Sequence, residues 1–274
     1  MGTSQSSKGP GGGVPMVPSW VDDPPSEAPT GDQASVEGDD VPGQQLPSPI
    51  APQRRWAGVN RSLSEYAKTG GNDVMRRGFG RYIRSGYGGS ATAARRMTGT
   101  AATASAFGGV LSGLAGGQAT PDTPLDPALL EGSTSDEIMN AVVEAVRPVD
   151  GTQDAEASRA AVRDALTELL TQFPDADLLN LTPEQRILAI ERFTAHDVFR
   201  RFDLDVGQTI REKAPSTAVA LSRLKQARGY VKETVAAAFR KLRDAGRELT
   251  AGRITEVVRD ALHETFEVFE GYAV

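Results

Sequence analysis

Apolar residues recur at every third or fourth position through most of residues 134–274, which is typical of amphipathic helices that bury one face. Thr182-Pro183-Glu184-Gln185 has the residues of a capping box, with proline at the first helical position, and so marks a helix start. The pattern predicts helices over residues 135–147, 154–173, 182–202, 206–213, 216–248 and 253–270. With no alternating strand pattern, the predicted fold class is all-α, and residues 134–274 form its C-terminal helical bundle domain.

Residues 54–118 differ from the bundle because they are rich in glycine, alanine and basic residues. Their pattern predicts short helices over 62–68 and 73–84, followed by a small-residue stretch over 91–115. The apolar stripe of that stretch consists of Phe107, Val110, Leu111 and Leu114. Small residues allow close approach, so we expect this basic Gly/Ala-rich helical segment to pack against a partner helix. Prolines mark a linker over residues 119–133.

Residues 1–53 are predicted to be a disordered N-terminal tail, because they have too few large apolar side chains to offset the entropy of ordering. Within the tail, residues 14–21 are apolar and proline-spaced, which favours an extended conformation. This stretch is either a sticky part of the tail or a linear motif that docks into a partner, anchored by Trp20. The candidate partner-binding residues are Thr3, Ser4, Val14, Pro15, Val17, Pro18 and Trp20.

Charge is segregated along the chain, with net charges of −6 over residues 1–53, +8 over 54–96 and −8 over the remainder. Aromatic residues lie among the cationic ones, at Trp56, Tyr66, Phe79, Tyr82 and Tyr87. One hypothesis is that this block binds nucleic acid through phosphate contacts and base stacking. Another is that it docks an acidic partner, or the acidic tail and C-terminal domain of this same chain, and a third is a plain solvated face. The candidate basic patch consists of Arg54, Arg55, Arg76, Arg77, Arg81, Arg84, Arg95 and Arg96.

Enzymatic chemistry has little support in the residues. The chain has no cysteine, which excludes disulfides, zinc ribbons and thiol nucleophiles. His196 and His263 lack metal-ligand spacing and are interpreted as surface or structural histidines. The aspartates that lie near predicted helix ends are interpreted as caps, and they are Asp175, Asp177, Asp203 and Asp205. We therefore expect a non-enzymatic protein with no catalytic residue, metal or cofactor.

The N-terminus is a second candidate site. A small residue after Met1 predicts removal of the initiator methionine, which leaves a free α-amine on Gly2. Such an amine has a pKa of about 8, so a useful fraction is neutral and nucleophilic at neutral pH. The alternatives are an ordinary unstructured terminus and a myristoylation signal, and the acidic residues that follow are a poor second membrane signal. With no apolar run of membrane-spanning length and no secretory signal, a cytoplasmic protein without membrane association is expected.

Three stretches of this sequence resemble the QatB family of the bacterial Qat anti-phage system. They are Met1-Gly-Thr-Ser-Gln-Ser-Ser-Lys-Gly-Pro-Gly-Gly-Gly-Val-Pro-Met-Val-Pro-Ser-Trp20, Glu65-Tyr-Ala-Lys-Thr-Gly-Gly-Asn-Asp73 and Gly86-Tyr-Gly-Gly-Ser-Ala-Thr92. The likeness covers residues 1–22 and 54–115, whereas the C-terminal domain shares only helical character.

The resemblance implies partners from the same operon: an ATPase, a TatD-like nuclease and a QueC-like enzyme, which is a relative of the 7-cyano-7-deazaguanine synthase. It also implies that Gly2 is the acceptor of a deazaguanine conjugated by the QueC-like enzyme. The resulting hypothesis is a scaffold or adaptor of a defence complex. The alternative is a nucleic-acid-binding subunit that recruits the nuclease through residues 54–96.

Overall fold

The computed structural model of the chain describes residues 13–17, 50–117 and 125–273. Within these residues every element longer than a single β-bridge is helical, which confirms the predicted all-α fold. The predicted disordered tail falls largely outside them, whereas residues 125–133 of the predicted linker lie within them. Among the described helices, none combines the length and the hydropathy that crossing a bilayer requires.

The basic Gly/Ala-rich segment is helical, as predicted, but its first helix begins earlier than predicted and the small-residue stretch is divided into two helices. The helices of the segment are α1 (Ala57–Thr69), α2 (Asn72–Arg81), α3 (Ser90–Arg96) and α4 (Thr98–Ala115). A π-helical turn, Tyr82–Tyr87, continues α2 and ends at Gly88, whose φ of 82° requires glycine or a strained residue. This turn brings both of its tyrosines into the core.

The helices of residues 125–273 follow the predicted order, except that a short first helix lies within the predicted linker. They are α5 (Pro127–Leu130), α6 (Ser135–Val146), α7 (Gln153–Gln172), α8 (Pro183–Phe202), α9 (Gln208–Lys213), α10 (Thr217–Asp244) and α11 (Ile254–Glu270). Thr182 caps α8 through a reciprocal pair of hydrogen bonds with Gln185, so the predicted capping box is confirmed. Thr134 and Glu137 make the same arrangement at the start of α6.

Helices α8 and α9 are continuous, whereas the sequence pattern predicted two separate helices. A second π-helical turn, Asp203–Gly207, joins them. A π turn adds one residue to the helical repeat and so changes which positions face the core. Asp205 and Val206, within the turn, are both buried. A β-carbon at position 207 would collide with the Asp203 carboxylate, which explains the glycine there.

One hydrophobic cluster contains residues from both the basic segment and the C-terminal helices. Phe79 of α2 stacks on Phe202 of α8 with ring centroids 4.4 Å apart, and it also contacts Phe269 at 4.9 Å. On α4, a side chain at Gly108 would collide with Ile254 of α11, so this glycine permits close approach of the two helices. The expected packing of the small-residue stretch is therefore made within the same chain. The division into separate domains at 118 and 134 stays a prediction.

Candidate functional site

Residues 13–17, called the docked segment below, lie on the surface of the helical body. The backbone N–H of Gly13 donates to the carbonyl of Ala51 at 2.9 Å, and the N–H of Ala51 donates to the carbonyl of Val14 at 2.9 Å. These bonds form an isolated antiparallel bridge between Pro15 and Ile50. Met16 and Val17 are buried, at 6% and 2% exposure. The apolar stretch of the tail thus has a binding surface on its own chain.

Arg96 and Gly88 hold the docked segment in place. Arg96 Nη1 donates to the carbonyl oxygen of Met16 at 2.7 Å, while its guanidinium lies 5.4 Å from the ring centroid of Tyr87. The Met16 thioether packs against Gly88, where any β-carbon would collide with its sulfur. Because Gly88 has a positive φ and touches Met16, only glycine satisfies both requirements at this position.

A buried aromatic cluster lies beneath the docked segment. Trp56 has its ring centroid 5.8 Å from those of Tyr82 and Tyr87, and the two tyrosine rings are 5.1 Å apart. Both tyrosine hydroxyls donate to Asp205 Oδ2, at 2.9 Å from Tyr82 and 2.5 Å from Tyr87. Asp205 therefore joins the second π turn to the first, and the interpretation of this aspartate as a helix cap is wrong.

Burial and charge within this cluster keep the hydroxyls of Tyr82 and Tyr87 protonated around the buried Asp205 carboxyl group. Burial raises the pKa of Asp205, although the nearby positive charge of Arg201 and the two tyrosine hydrogen bonds act to lower it. Burial also raises the pKa of the Tyr82 and Tyr87 hydroxyls, and the Asp205 charge raises both further. The tyrosines thus remain hydrogen-bond donors across the accessible pH range.

A cavity of about 260 Å³ lies next to the docked segment, and Arg96 borders both. Three arginines from three different parts of the chain line it. The lining residues used below are Arg96, Gly99, Thr100, Arg147, Asp154, Ser158, Asp197 and Arg201. The cavity combines guanidinium donors with hydroxyl and carboxylate groups, a combination that binds polar ligands in proteins.

Asp197 is the most buried acid of this cavity. Thr100 Oγ1 donates to its Oδ2 at 2.6 Å, and Ser158 Oγ donates to its Oδ1 at 2.8 Å. Burial raises the pKa of the Asp197 carboxyl, although both hydroxyl hydrogen bonds act to lower it. The carboxylate thus joins α4, α7 and α8 at one point.

The raised pKa of Asp197 predicts a pH-dependent stability. The folded protein keeps this proton to a higher pH than the unfolded chain, so the stability contributed by Asp197 falls as pH rises from the ordinary pKa of 3.8 through the raised value. Asparagine carries no such proton. We expect the Asp197→Asn variant to gain unfolding free energy relative to the wild type as the pH rises above about 4, measured by urea denaturation.

Asp73→Asn is the matched control for this pH series, because the Asp73 side chain is 94% exposed. The free energies of this control should run parallel to those of the wild type. A difference between Asp197→Asn and the wild type that stays constant across the whole pH range would contradict the assignment of a retained proton to Asp197.

His196 lies in a separate ion-pair network between α7, α8 and α10. Its Nε2 is 3.1 Å from Glu168 Oε2, and Glu168 also accepts from Lys232 at 2.7 Å and pairs with Arg192 at 2.9 Å. Burial lowers the pKa of His196, while Asp164 and Glu168 act to raise it. These contacts give the histidine a packing role within the network. His263 is half exposed and pairs with Glu267 on its own helix.

The structure places the sequence-predicted N-terminal residues in three ways. Gly2, Thr3, Ser4, Pro18 and Trp20 lie outside the described residues. Val14 and Pro15 are exposed on the docked segment, whereas Val17 is buried against the body. Their role in binding a partner stays a prediction, and Val17 contacts a partner only if the docked segment leaves the body.

The predicted basic patch is divided among several environments. Arg55 is buried and lies 5.4 Å from the Trp56 ring centroid, and Arg96 contacts the docked segment. Arg76 lies 5.3 Å from the ring centroid of Tyr272, beside the C-terminal residues. The remaining members lie just before α1, on α2, in the π turn that follows it, or on α3. Arg77 pairs with Glu65, Arg81 donates to Ser62, Arg54 and Arg84 are exposed, and Arg95 is partly buried.

The aromatic residues among these arginines are all buried, with 0–5% exposure. They are Trp56, Tyr66, Phe79, Tyr82 and Tyr87. Base stacking on them, which the nucleic-acid hypothesis required, is therefore not available in this conformation. Of the two kinds of contact that this hypothesis uses, only the phosphate contacts made by exposed arginines remain available.

Sequence reasoning missed the cavity and its principal residues. Asp197 and Arg201 lie four residues apart and therefore on the same face of α8, which is the one local signal of a polar site there. Arg147 and Ser158 come from other helices, and no spacing in the sequence relates them to α8.

A family model described as QatB, Qat anti-phage system associated protein QatB, matches residues 88–269. The matched range includes α3, α4 and the cavity residues, and it stops short of the docked segment. No curated protein and no solved structure matches the chain.

Proposed function

The chain belongs to the QatB family and is a component of the Qat anti-phage system, and from this premise we propose that it acts as a non-enzymatic scaffold or adaptor. In this proposal it presents Gly2 as the acceptor of a deazaguanine conjugated by a QueC-like partner enzyme. The ATPase and the TatD-like nuclease of the same system are its further proposed partners.

The observation that supports this proposal is the attachment of the docked segment to the body. Gly13 is fixed by its hydrogen bond to Ala51, and the buried Met16 and Val17 hold the segment beyond it. Gly2 is therefore joined to a defined point on the surface through eleven residue steps. A chain of that length spans at most about 40 Å. An enzyme bound to the body within this distance meets its acceptor amine at a raised local concentration.

The chemistry at Gly2 needs only a neutral amine and an unhindered approach. Glycine adds no side chain beside the nitrogen, and an α-amine with a pKa of about 8 is partly unprotonated at neutral pH. The partner enzyme supplies the activated deazaguanine and the catalytic groups. This chain supplies the nucleophile and the docking contacts.

The exposed side chains beside the docked segment are the proposed contact for that enzyme. Val14 is 48% exposed and Ile50 is 70% exposed, and the backbone bridge between Pro15 and Ile50 places them side by side. Trp20 follows the docked segment by three residues and would extend the same contact. Single exposed apolar residues are common on protein surfaces. Two of them side by side, next to the Gly13 backbone that is fixed to the body, favour a protein–protein interface.

Intact-mass measurement of the N-terminal peptide tests this function. The protein is expressed with and without its operon neighbours, and we expect a mass increase on Gly2 only when the QueC-like enzyme is present. Gly2→Leu is the control, because a large second residue retains the initiator methionine and leaves no Gly2 amine. Loss of Met1 with no further mass change in every sample would refute the acceptor role.

A further inference from the structure

The cavity beside the docked segment has the donors of an anion site. Arg96 comes from the end of α3, Arg147 from the residue after α6, and Arg201 from α8, and all three line the cavity. Two carboxylates, Asp154 and Asp197, line it as well, so positive charge is in excess.

Each arginine has donor capacity beyond its structural partner. Arg201 Nη1 donates to Asp154 at 2.6 Å, Arg147 Nη2 donates to Asp150 at 3.0 Å, and Arg96 Nη1 donates to the Met16 carbonyl at 2.7 Å. A guanidinium carries five N–H donors in a planar fork, which matches the oxygens of a phosphate. The structural bonds hold the three guanidiniums in position and leave further N–H groups for a ligand.

The remaining polar groups of the cavity suit hydroxyl groups. Asp197 accepts one hydrogen bond on each oxygen, from Thr100 and Ser158, whereas a carboxylate offers about four acceptor sites. A pair of neighbouring hydroxyls on a sugar can use the unfilled acceptor sites of such a carboxylate. A volume of about 260 Å³ lies just below the range of about 300–1,000 Å³ usual for ligand pockets, which indicates a small ligand.

From these contacts we propose that the cavity binds a phosphate monoester of a small hydroxylated molecule, of the size of a nucleoside monophosphate. The three arginines contact the phosphate, and Asp197 receives hydrogen bonds from the sugar hydroxyls. This proposal does not depend on a modification of Gly2.

Gly99 allows a direct test, because it lines the cavity and a β-carbon there would meet no atom within 4 Å. Leucine at this position enters open space at the cavity wall and leaves the arginines unchanged. Gly109→Leu is the matched control on the same helix, since Gly109 is exposed and equally unobstructed. Replacing glycine within a helix favours folding, so both variants should fold.

Calorimetric titration of the full chain with AMP and with GMP measures the binding. We expect saturable binding of at least one nucleotide, a loss of affinity of tenfold or more in Gly99→Leu, and no change in Gly109→Leu. Arg147→Gln should lower the affinity by about tenfold as well, because it removes a charged hydrogen-bond donor to the phosphate. Arg84→Gln, with the same charge change at an exposed position away from the cavity, should have no effect.

Smaller probes measure separately how much the phosphate and the base contribute to the affinity. Adenosine, which has no phosphate, should bind at least tenfold more weakly than AMP, and ribose 5-phosphate should retain most of the affinity. No heat of binding with any phosphate ester at millimolar concentration would overturn the proposal. Equal weakening by Arg84→Gln and Arg147→Gln would overturn it too, since the anion would then bind the general basic surface.

Discussion

The Phe79→Ala variant is expected to lose about 3–5 kcal/mol of unfolding free energy, the usual cost of removing a fully buried aromatic side chain. Phe79 is 1% exposed, and its ring contacts Phe202, Tyr230 and Phe269 from three C-terminal helices. Alanine leaves a cavity where these rings meet, because the surrounding helices can close it only in part. Urea denaturation followed by circular dichroism gives the free energy.

The same experiment tests whether the basic segment and the C-terminal helices unfold together. If they form one cooperative unit, Phe79→Ala shifts a single transition to lower urea. Phe173→Ala is the matched control, because that ring is 37% exposed at the end of α7, and its loss should cost less than 1 kcal/mol, as is usual for surface positions. A variant whose C-terminal helices unfold at the wild-type urea concentration would contradict the shared core.

The Asp205→Ala variant is expected to lose a similar amount, about 3–5 kcal/mol, for a different reason. Asp205 is the acceptor for both the Tyr82 and the Tyr87 hydroxyl, and all three groups are buried. Without it, two buried donors lose their partner, and each costs about 1–3 kcal/mol. The charge of Arg201 loses a nearby counter-charge as well.

Asp203→Ala is the control for Asp205→Ala, because it lies in the same π turn but pairs near the surface with Arg211 at 2.6 Å. An exposed pair of this kind contributes about 0–1 kcal/mol. Thermal unfolding of the two variants side by side measures the difference. Equal melting temperatures for Asp203→Ala and Asp205→Ala would show that the tyrosine hydroxyls find other partners.

Helix positions could be predicted from local signals. Thr182 with Gln185, and Thr134 with Glu137, are complete capping boxes, and the apolar repeat between such caps fixed the buried faces of α6 to α11. The π turns were not predicted. Their extra residue depends on the burial of Asp205 against tyrosines more than a hundred positions earlier, and local periodicity carries no information about that contact.

The candidate site could be predicted only in part. The sequence identified the apolar stretch around Val14 and the arginine-rich block, because composition alone distinguishes both from their surroundings. It could not indicate that Met16 and Val17 dock on their own chain, or that Arg55 lies in the interior. Charge counts treat all arginines alike, whereas tertiary packing decides which ones contact solvent. The cavity of Arg96, Arg147 and Arg201 requires the folded arrangement of three helices.

The bridge between Pro15 and Ile50 also bears on changes in chain length. It brings Val17 and Ile50 to one region of the surface, although 32 residues separate them in the sequence. Loop-closure entropy grows slowly with length, so that doubling or halving a loop changes its closure cost by only about 0.6 kcal/mol. A change in the number of residues between Val17 and Ile50 should therefore have little effect on the docked segment, whereas a change between Gly2 and Gly13 alters the reach of the Gly2 amine.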